Sequence, residues 1–568
     1  MTRADGMSTD WNTRVPMRDG IELSADIYRP AGGGRRTTLV ARTPYNKNTA
    51  EQQERAEAYA ASGYNFVHQD VRGRGDSDGR FEPWRNEARD GYDTIEWIAE
   101  QDWSDGNVVT WGQSYLGCIQ WMTALEQPPH LRAMIVYVAP SDPFEDNPTG
   151  VPTPWEVCWM RMLDGRVLQY VDRVDWPAVS WHLPLISMDA HAGFYSEHWR
   201  TFLTQPITDR AFWDPVRYQP RITEVSVPVL SITGWYDDVQ RGSMRNFTLL
   251  TSPEAPAQVR DNQWLVVGPW DHRCTRTRSR QLGAIDFGPG AETDLPELER
   301  DWLASVLGRQ AEPPAPVRLF VMGENAWREE QEWPLARTRW TRYFLASDGD
   351  ANTRHGGGQL RREDGVARTG APGTDAAGDP PPDVFSYDPA DPVPFISDFA
   401  SSSQIGGPDD YAAVEERPDV LVYTTGPLES DVEVTGPVRL ELYASSSAVD
   451  TDFTAKLLDV HPDGFSQRLC DSMVRARFRS GYLEPESRLV PGAVTAFEID
   501  MWSTSHVFKA GHRIRLQVSS SAFPKYDRNL NTGAPIATAT EMATAVNSVW
   551  HTRDYPSHLV LPEIPGDG

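Results

Sequence analysis

Residues 107–125, NVVTWGQSYLGCIQWMTAL, decide how the chain is read. The first six letters are short, β-branched and aromatic, as a buried strand is, and from Cys118 onward the apolar run is that of a buried helix. Between them stands Gly112-Gln113-Ser114-Tyr115-Leu116-Gly117. The two glycines allow a sharp turn and a close approach of helix to strand, which presents a serine hydroxyl at the helix N-terminus, where unpaired N–H groups favour a developing negative charge. The spacing is G-x-S-x-x-G, not the nucleophile elbow G-x-S-x-G, and such a string alone is usually a simple turn. The strand before it and the helix after it carry the reading.

Outward from this stretch, TTLVART (37–43), YNFVHQD (64–70) and AMIVYVA (133–139) read as further strands. Tyr92, Ile95, Ile98 and Ala99 share one face of a helix starting near Asp90, which is the alternation of a mostly parallel sheet covered by helices. A Pro- and Trp-rich helical stretch interrupts the pattern over 146–222. Strands resume at VPVLSIT (227–233) and QWLVVG (263–268), with a helical pattern near 295–307. Beyond about 345 the segments PVRLELYAS (437–445), FTAKLLDVH (453–461), VTAFEIDMW (494–502) and HRIRLQVSS (512–520) alternate between turn residues, predicting an all-β jelly roll. With 568 residues the chain exceeds a single core. The expected division is an α/β domain in two parts, 1–145 and 223–345, an inserted helical cap, 146–222, and a β domain, 346–568. GAPGTDAAGDPPPD (370–383) reads as a loop.

A serine hydroxyl is a poor nucleophile unless a base lies within reach and a third group fixes that base. VPVLSIT leads into Gly234-Trp235-Tyr236-Asp237, and QWLVVG into Pro269-Trp270-Asp271-His272. The chain order Ser, Asp, His after successive strands is that of an α/β-hydrolase, with Ser114 as nucleophile, His272 as base and Asp237 as its orienting group. Asp238 and Asp271 compete for the carboxylate role. One oxyanion donor is the amide of Tyr115, the residue after the nucleophile. The second belongs to the loop after an early strand, where Tyr45 either donates its hydroxyl or merely packs. Asp70–Gly79 (DVRGRGDSDG) lacks the third glycine of a dinucleotide fingerprint and reads as a loop held by Arg–Asp pairing.

The formal charge of -27, with no Lys/Arg block, excludes a nucleic-acid partner as an expectation. Cys118, Cys158, Cys274 and Cys470 have no metal-ligand or disulfide spacing, and no residue cluster calls for a metal or cofactor. The start has no secretory apolar stretch and no run spans a bilayer, so no membrane association and a cytoplasmic location are expected.

Taken together, VPMRDGIELSADIYRP (15–30), QDVRGRGDSDG (69–79), DGNVVTWGQSYLG (105–117), TGWYDD (233–238), VVGPWDH (266–272) and the late SSSAVDTDFTAK, SSSAFPKYDRNLNTG and PSHLVLPEI are highly specific. On them the chain resembles the bacterial cocaine esterase family, which includes X-prolyl dipeptidyl aminopeptidases and α-amino acid ester hydrolases. The resemblance covers almost the whole chain. It implies Ser114, Asp237 and His272 as triad, Tyr45 and the Tyr115 amide as oxyanion hole, a catalytic domain with a cap and a C-terminal jelly roll, an ester as substrate, and a homodimer. Substrate selection departs: Val239 stands two residues past the triad aspartate, where the cocaine-cleaving member has an aromatic residue. Trp155 and Trp159 either wall the acyl site or pack the cap onto the sheet. An amide or peptide substrate would need an acid for a free amine, for which Glu156, Asp164, Asp172 and Asp175 are candidates. A reading from another class is a non-catalytic binding protein built on the jelly roll.

Overall fold

Residues 6–141, 154–273, 279–308, 313–363, 379–397 and 406–566 are described in the computed structural model. The hairpin β1 (Ser8–Pro16) and β2 (Glu22–Arg29), which has no counterpart in the sequence reading, joins antiparallel to the first sheet. Its parallel body is β3 (Arg36–Thr43), β4 (Asn65–Asp70), β5 (Ser104–Gln113), β6 (Leu131–Tyr137), β7 (Val229–Gly234) and β8 (Gln263–Gly268). A two-residue pair, β9 (Gln281–Leu282) and β10 (Ile285–Asp286), precedes β11 (Val317–Val321) and the closing strand β12 (Ala326–Glu330). The order is β1-β2-β4-β3-β5-β6-β7-β8-β11-β12. All of β4, β7 and β8 is buried, as in a parallel sheet covered on both faces.

Among the covering helices are α1 (Ala50–Ala61), α2 (Glu87–Ala99) and α3 (Tyr115–Leu125). Every residue of α3 is buried, because it lies between the sheet and the segment joining β6 to β7. That segment contains α4 (Trp155–Met162), α5 (Trp176–Trp181), α6 (Met188–His191), α7 (Glu197–Thr204) and α8 (Arg210–Trp213). Side chains of Asp175, Ser196 and Asp209 cap α5, α7 and α8 by accepting orphan amide hydrogens. Trp159, Trp176, Trp199 and Trp213 belong to the same apolar cluster as Trp121 and Tyr137 of the sheet layer, so the insertion has no separate core. After β7 come α9 (Gln240–Leu250), α10 (Ala257–Arg260) and α11 (Leu295–Val306).

Among the described residues the chain from Arg339 on is mostly β, with apolar clusters of its own. Its strands begin with β13 (Arg339–Ala346), β14 (Gln359–Arg362), β15 (Asp383–Tyr387) and β16 (Leu421–Thr424). β17 (Val432–Ser446), β18 (Asp452–Val460), β19 (Ser466–Arg475) and β20 (Thr495–Phe508) are the long ones. β21 (Arg513–Ser519), β22 (Ala545–Trp550) and β23 (His558–Ile564) complete the set. The path is β15-β22-β17-β23-β13-β14-β16-β21-β18-β19, with β20 on β17. β13 pairs only within this sheet, so the change of architecture precedes Arg339 and the sequence boundary at 345/346 falls inside a strand. The charged, half-exposed alternation of RWTRYFLA (339–346) carries no mark of which sheet it will join.

Strand ends of the first sheet meet the β half directly. Gln240 exchanges two 3.0 Å bonds with the backbone of Ser503, and Met322 does so with Ser505 and Val507 at 3.0 and 2.8 Å. Ile186 of the insertion donates to the Ala537 carbonyl at 2.9 Å. No helix among the described residues is long and apolar enough to cross a membrane.

Several buried charges of the β half are paired. Arg475, wholly buried, binds Asp452 through two 2.8 Å bonds and Asp527 at 2.9 Å. Burial nevertheless pushes the Asp527 carboxyl up to about 6. A carboxyl raised in the folded state contributes its stability fully below the ordinary value of 3.8 and loses it as pH rises through about 6. The Tm of wild type relative to Asp527→Asn is therefore expected to fall between about pH 4 and about pH 6 and to change little above that, as read from thermal melts.

Candidate active site

Ser114 sits between β5 and α3 with φ 57° and ψ -123°, a backbone state that side-chain-bearing residues rarely adopt. Its amide donates to Tyr137 O at 3.0 Å and its carbonyl accepts from Cys118 N at 2.9 Å, so the turn is held from both sides. The flanking glycines are needed for close approach. A Cβ at Gly112 would lie 2.5 Å from Leu116 Cβ, and one at Gly117 would lie 2.8 Å from Tyr137 O. Without side chains at these two places α3 seats directly on the strand ends.

The neighbouring ends are level. Gln113 is in register with Tyr137, Tyr137 with Ile232, and Gly234 with Gly268. Backbone bonds continue past the strands: Val138 N to Ile232 O at 2.8 Å, Trp235 N to Gly268 O at 2.9 Å, Tyr236 N to Trp270 O at 3.0 Å. The loops bearing Ser114, Asp237 and His272 thus leave the sheet along one carboxyl edge, as ligand sites of α/β sheets do.

Asp237 is buried, with Oδ1 2.8 Å from His272 Nδ1. Thr233 Oγ1 donates to its Oδ2 at 2.8 Å and Val239 N to its Oδ1 at 3.2 Å. A carboxylate can only accept, so Nδ1 carries the hydrogen and Nε2 is left as the basic nitrogen. Of the competing acids, Asp271 is committed to Arg273, accepting its amide at 2.9 Å and its guanidinium at 2.6 Å. Asp238 stays close, its Oδ1 3.2 Å from His272 Nδ1.

Tyr45 lies in the loop after β3, its amide bonded to Thr43 Oγ1 at 3.1 Å. Trp159 Nε1 donates to the Tyr45 hydroxyl at 2.9 Å, so that oxygen is an acceptor there and its own hydrogen is directed elsewhere. The Tyr115 hydroxyl donates to Glu87 at 2.8 Å and accepts from Trp84 N at 3.0 Å. Burial, reinforced by Glu87, holds that phenol well above its ordinary range and keeps it a donor. Trp84 stacks on Trp159 at 5.6 Å and lies 5.9 Å from Tyr115, forming an aromatic panel by the start of α3. Trp159 thereby both packs the insertion onto the sheet layer and touches Tyr45. Trp155 and Val239 are half-buried against the same cluster.

Trp84, Glu87 and Gln240 stand in no motif of the sequence, and Thr233, though it opens TGWYDD, carries no sign there of its bond to Asp237; each acquires its place through folding. In the loop over 70–79, Arg72 pairs with Asp90 and Asp19 as expected, at 2.6 and 2.7 Å. Arg74 does not. It is buried among carbonyls, donating to Pro44 O at 2.8 Å and Leu163 O at 2.6 Å, which ties the Tyr45 loop to the insertion. Burial brings its guanidinium down to about 10. Of the cysteines, 118, 158 and 470 are buried thiols, and Cys274 lies outside the described residues.

A parallel sheet with a serine on a strained strand-to-helix turn, and a histidine–aspartate pair at the same edge, defines the class of α/β serine hydrolases. The chain belongs to the X-Pro dipeptidyl-peptidase (S15) family: that family's pattern matches residues 19–273, and the X-Pro dipeptidyl-peptidase C-terminal non-catalytic domain matches 309–560. A cocaine esterase from Rhodococcus sp. is 37% identical over 97% of this chain and 98% of its own. An aminopeptidase from a marine sediment Thaumarchaeota archaeon has a TM-score of 0.86 at 26% identity, covering 99% of this chain and 97% of that one. An α-amino acid ester hydrolase shares the fold at TM-score 0.84 and 24% identity, covering 99% and 98%. The protein is a hydrolase of this family, with an N-terminal catalytic and a C-terminal non-catalytic part.

Gly117→Ala is expected to push α3 from the sheet and destabilise the fold by about 1–3 kcal/mol, seen as a lowered Tm.

Proposed function

We propose that this protein hydrolyses a carboxylic ester through an acyl-enzyme. The observation that carries the reading is the 2.8 Å bond from His272 Nδ1 to buried Asp237, which leaves Nε2 basic at the edge where Ser114 is presented. His272 takes the Ser114 proton as the hydroxyl oxygen attacks the ester carbonyl. The Tyr45 hydroxyl and the Tyr115 amide then receive the oxyanion. His272 returns the proton to the leaving alkoxide, the alcohol departs, and water repeats the sequence on the acyl group to regenerate the serine. Asp237 steadies the imidazolium in each half. The 37% identity to a cocaine esterase supports an ester as the substrate. Trp84 also lines a cavity of about 280 Å³ with a mixed wall, in which Met160, Phe202 and Trp213 stand beside the charged Arg80, Glu82 and Glu197.

The same proposal takes the helical insertion (146–222) as a cap and the β half as a jelly roll, with the cytoplasm as location. Three buried thiols among the described residues support a reducing compartment.

A second reading, a substrate carrying an α-amine, is favoured by one acid. Asp164 lies 3.1 Å from Arg161, and Asp172 and Asp175 are exposed, but Glu156 is half-buried on α4, one turn from Trp159. Comparing kcat/KM for an ester and its α-amino counterpart separates the two; no preference for the amine removes this reading.

Ser114→Ala is expected to lower turnover by about 10⁵-fold or more and to abolish fluorophosphonate labelling. Labelling that survives in the variant refutes the assignment, and a wild type that neither labels nor turns over esters returns the protein to a binding role. Tyr45→Phe is expected to lower kcat by roughly 10²–10³-fold with KM little changed, as measured by steady-state kinetics.

A further inference from the structure

Far along the chain from the serine, two antiparallel strands bring an Asp-x-His pair against a second histidine. Asp459 lies in β18 and His461 two residues on, so both project from one face of the strand direction. β21 pairs Arg513 with Val460 and Ile514 with Asp459, a register that sets His512 opposite His461. The two imidazole rings lie 4.5 Å apart. His512 Nδ1 is 2.9 and 3.0 Å from the Asp459 oxygens, and His461 Nε2 is 3.8 Å from Oδ2. The three donor atoms all lie within 4.8 Å of one another.

A tetrahedral Zn²⁺ takes nitrogen and oxygen ligands at about 2.0–2.2 Å, which places ligand atoms roughly 3.3 Å from each other. The observed separations bracket that value. His461 and His512 keep 27% and 16% of their side-chain surface, so a fourth position is open to water. Asp459 is buried, and its Oδ2 accepts a 2.9 Å bond from His506 Nε2. His506 is itself buried, and its Nδ1 has no hydrogen-bond partner among the described residues. Such an outer histidine fixes the orientation of a ligating carboxylate. Ion pairing alone accounts less well for the cluster: His461 Nε2 is beyond hydrogen-bonding distance of the carboxylate and meets Gln467 Oε1 at 3.2 Å.

We propose that Asp459, His461 and His512 form a binding site for a divalent transition metal of the Zn²⁺ type, with water as fourth ligand and His506 behind the carboxylate. On binding, the metal takes His512 Nδ1 and His461 Nε2, each ring then carries its hydrogen on its other nitrogen, and His461 gives up its contact with Gln467 Oε1; no oxidation is involved. The ion would clamp the turn after β18 to the start of β21. Through His506, which bridges Met322 at the end of β11, it would also brace the joint between the sheets.

The test uses the full chain, freed of metal by a chelator and titrated with ZnCl₂ by calorimetry, with Co²⁺ absorption reporting ligand geometry. The comparison includes His461→Gln, the double variant His461→Gln/His512→Gln, and His272→Gln, because Asp237, Asp238 and His272 also offer clustered ligand atoms. The expected result is one Zn²⁺ per chain with a raised Tm, unchanged in His272→Gln and weakened at least about tenfold in His461→Gln. The site is overturned if wild type binds no stoichiometric metal. It is equally overturned if the affinity is unchanged in the His461 variants or is lost only with His272→Gln.

Discussion

Level strand ends are the constraint on which this molecule depends. Parallel strands in register finish at one height, and here β5, β6, β7 and β8 do so through an unbroken series of backbone bonds. Those bonds run on into the loops, from Ser114 N to Tyr137 O and from Tyr236 N to Trp270 O. Three side chains distant in the chain therefore share one edge without any covalent tie. The strained φ of Ser114 is tolerated because its neighbours leave it no other course: helix α3 is seated by two missing side chains and buried on every side.

Around that edge the structure works by completing hydrogen bonds that exposed loops would leave to water. Asp237 receives Thr233, Val239 and His272, so a buried carboxylate is stabilised by three donors. Tyr115 is held by Glu87, which burial shifts toward its neutral form and which forms a 2.8 Å pair with Arg42. Arg74 gathers carbonyls from the Tyr45 loop and from the insertion. Each second contact removes a degree of freedom from a residue near that edge, which is how polar groups are preorganised.

The β half is more than an appendage in this arrangement. Gln240 opens α9 three residues after Asp237, and both ends of its amide are engaged by Ser503. The Tyr236 hydroxyl reaches the Arg468 carbonyl at 3.3 Å. The loop carrying Asp237 is thus clasped between two sheets, and the position of Asp237 is coupled to the packing of a part that bears none of Ser114, Asp237 and His272. A metal bound at Asp459, His461 and His512 would act on the same joint from its far side.

Local chemistry made much of this legible before folding. Strands 37–43, 227–233 and 263–268 are β-branched runs whose periodicity needs no partner to be seen, and the Ser114, Asp237 and His272 positions follow from residue type, order and strand ends. What no local pattern encodes is which atoms meet across hundreds of residues. The choice of Asp237 over Asp271, the Trp159 bond to Tyr45, and the membership of β13 in the second sheet were decided only in three dimensions. Propensity and periodicity act over a few residues, whereas hydrogen-bond partners are selected by the geometry of the finished packing.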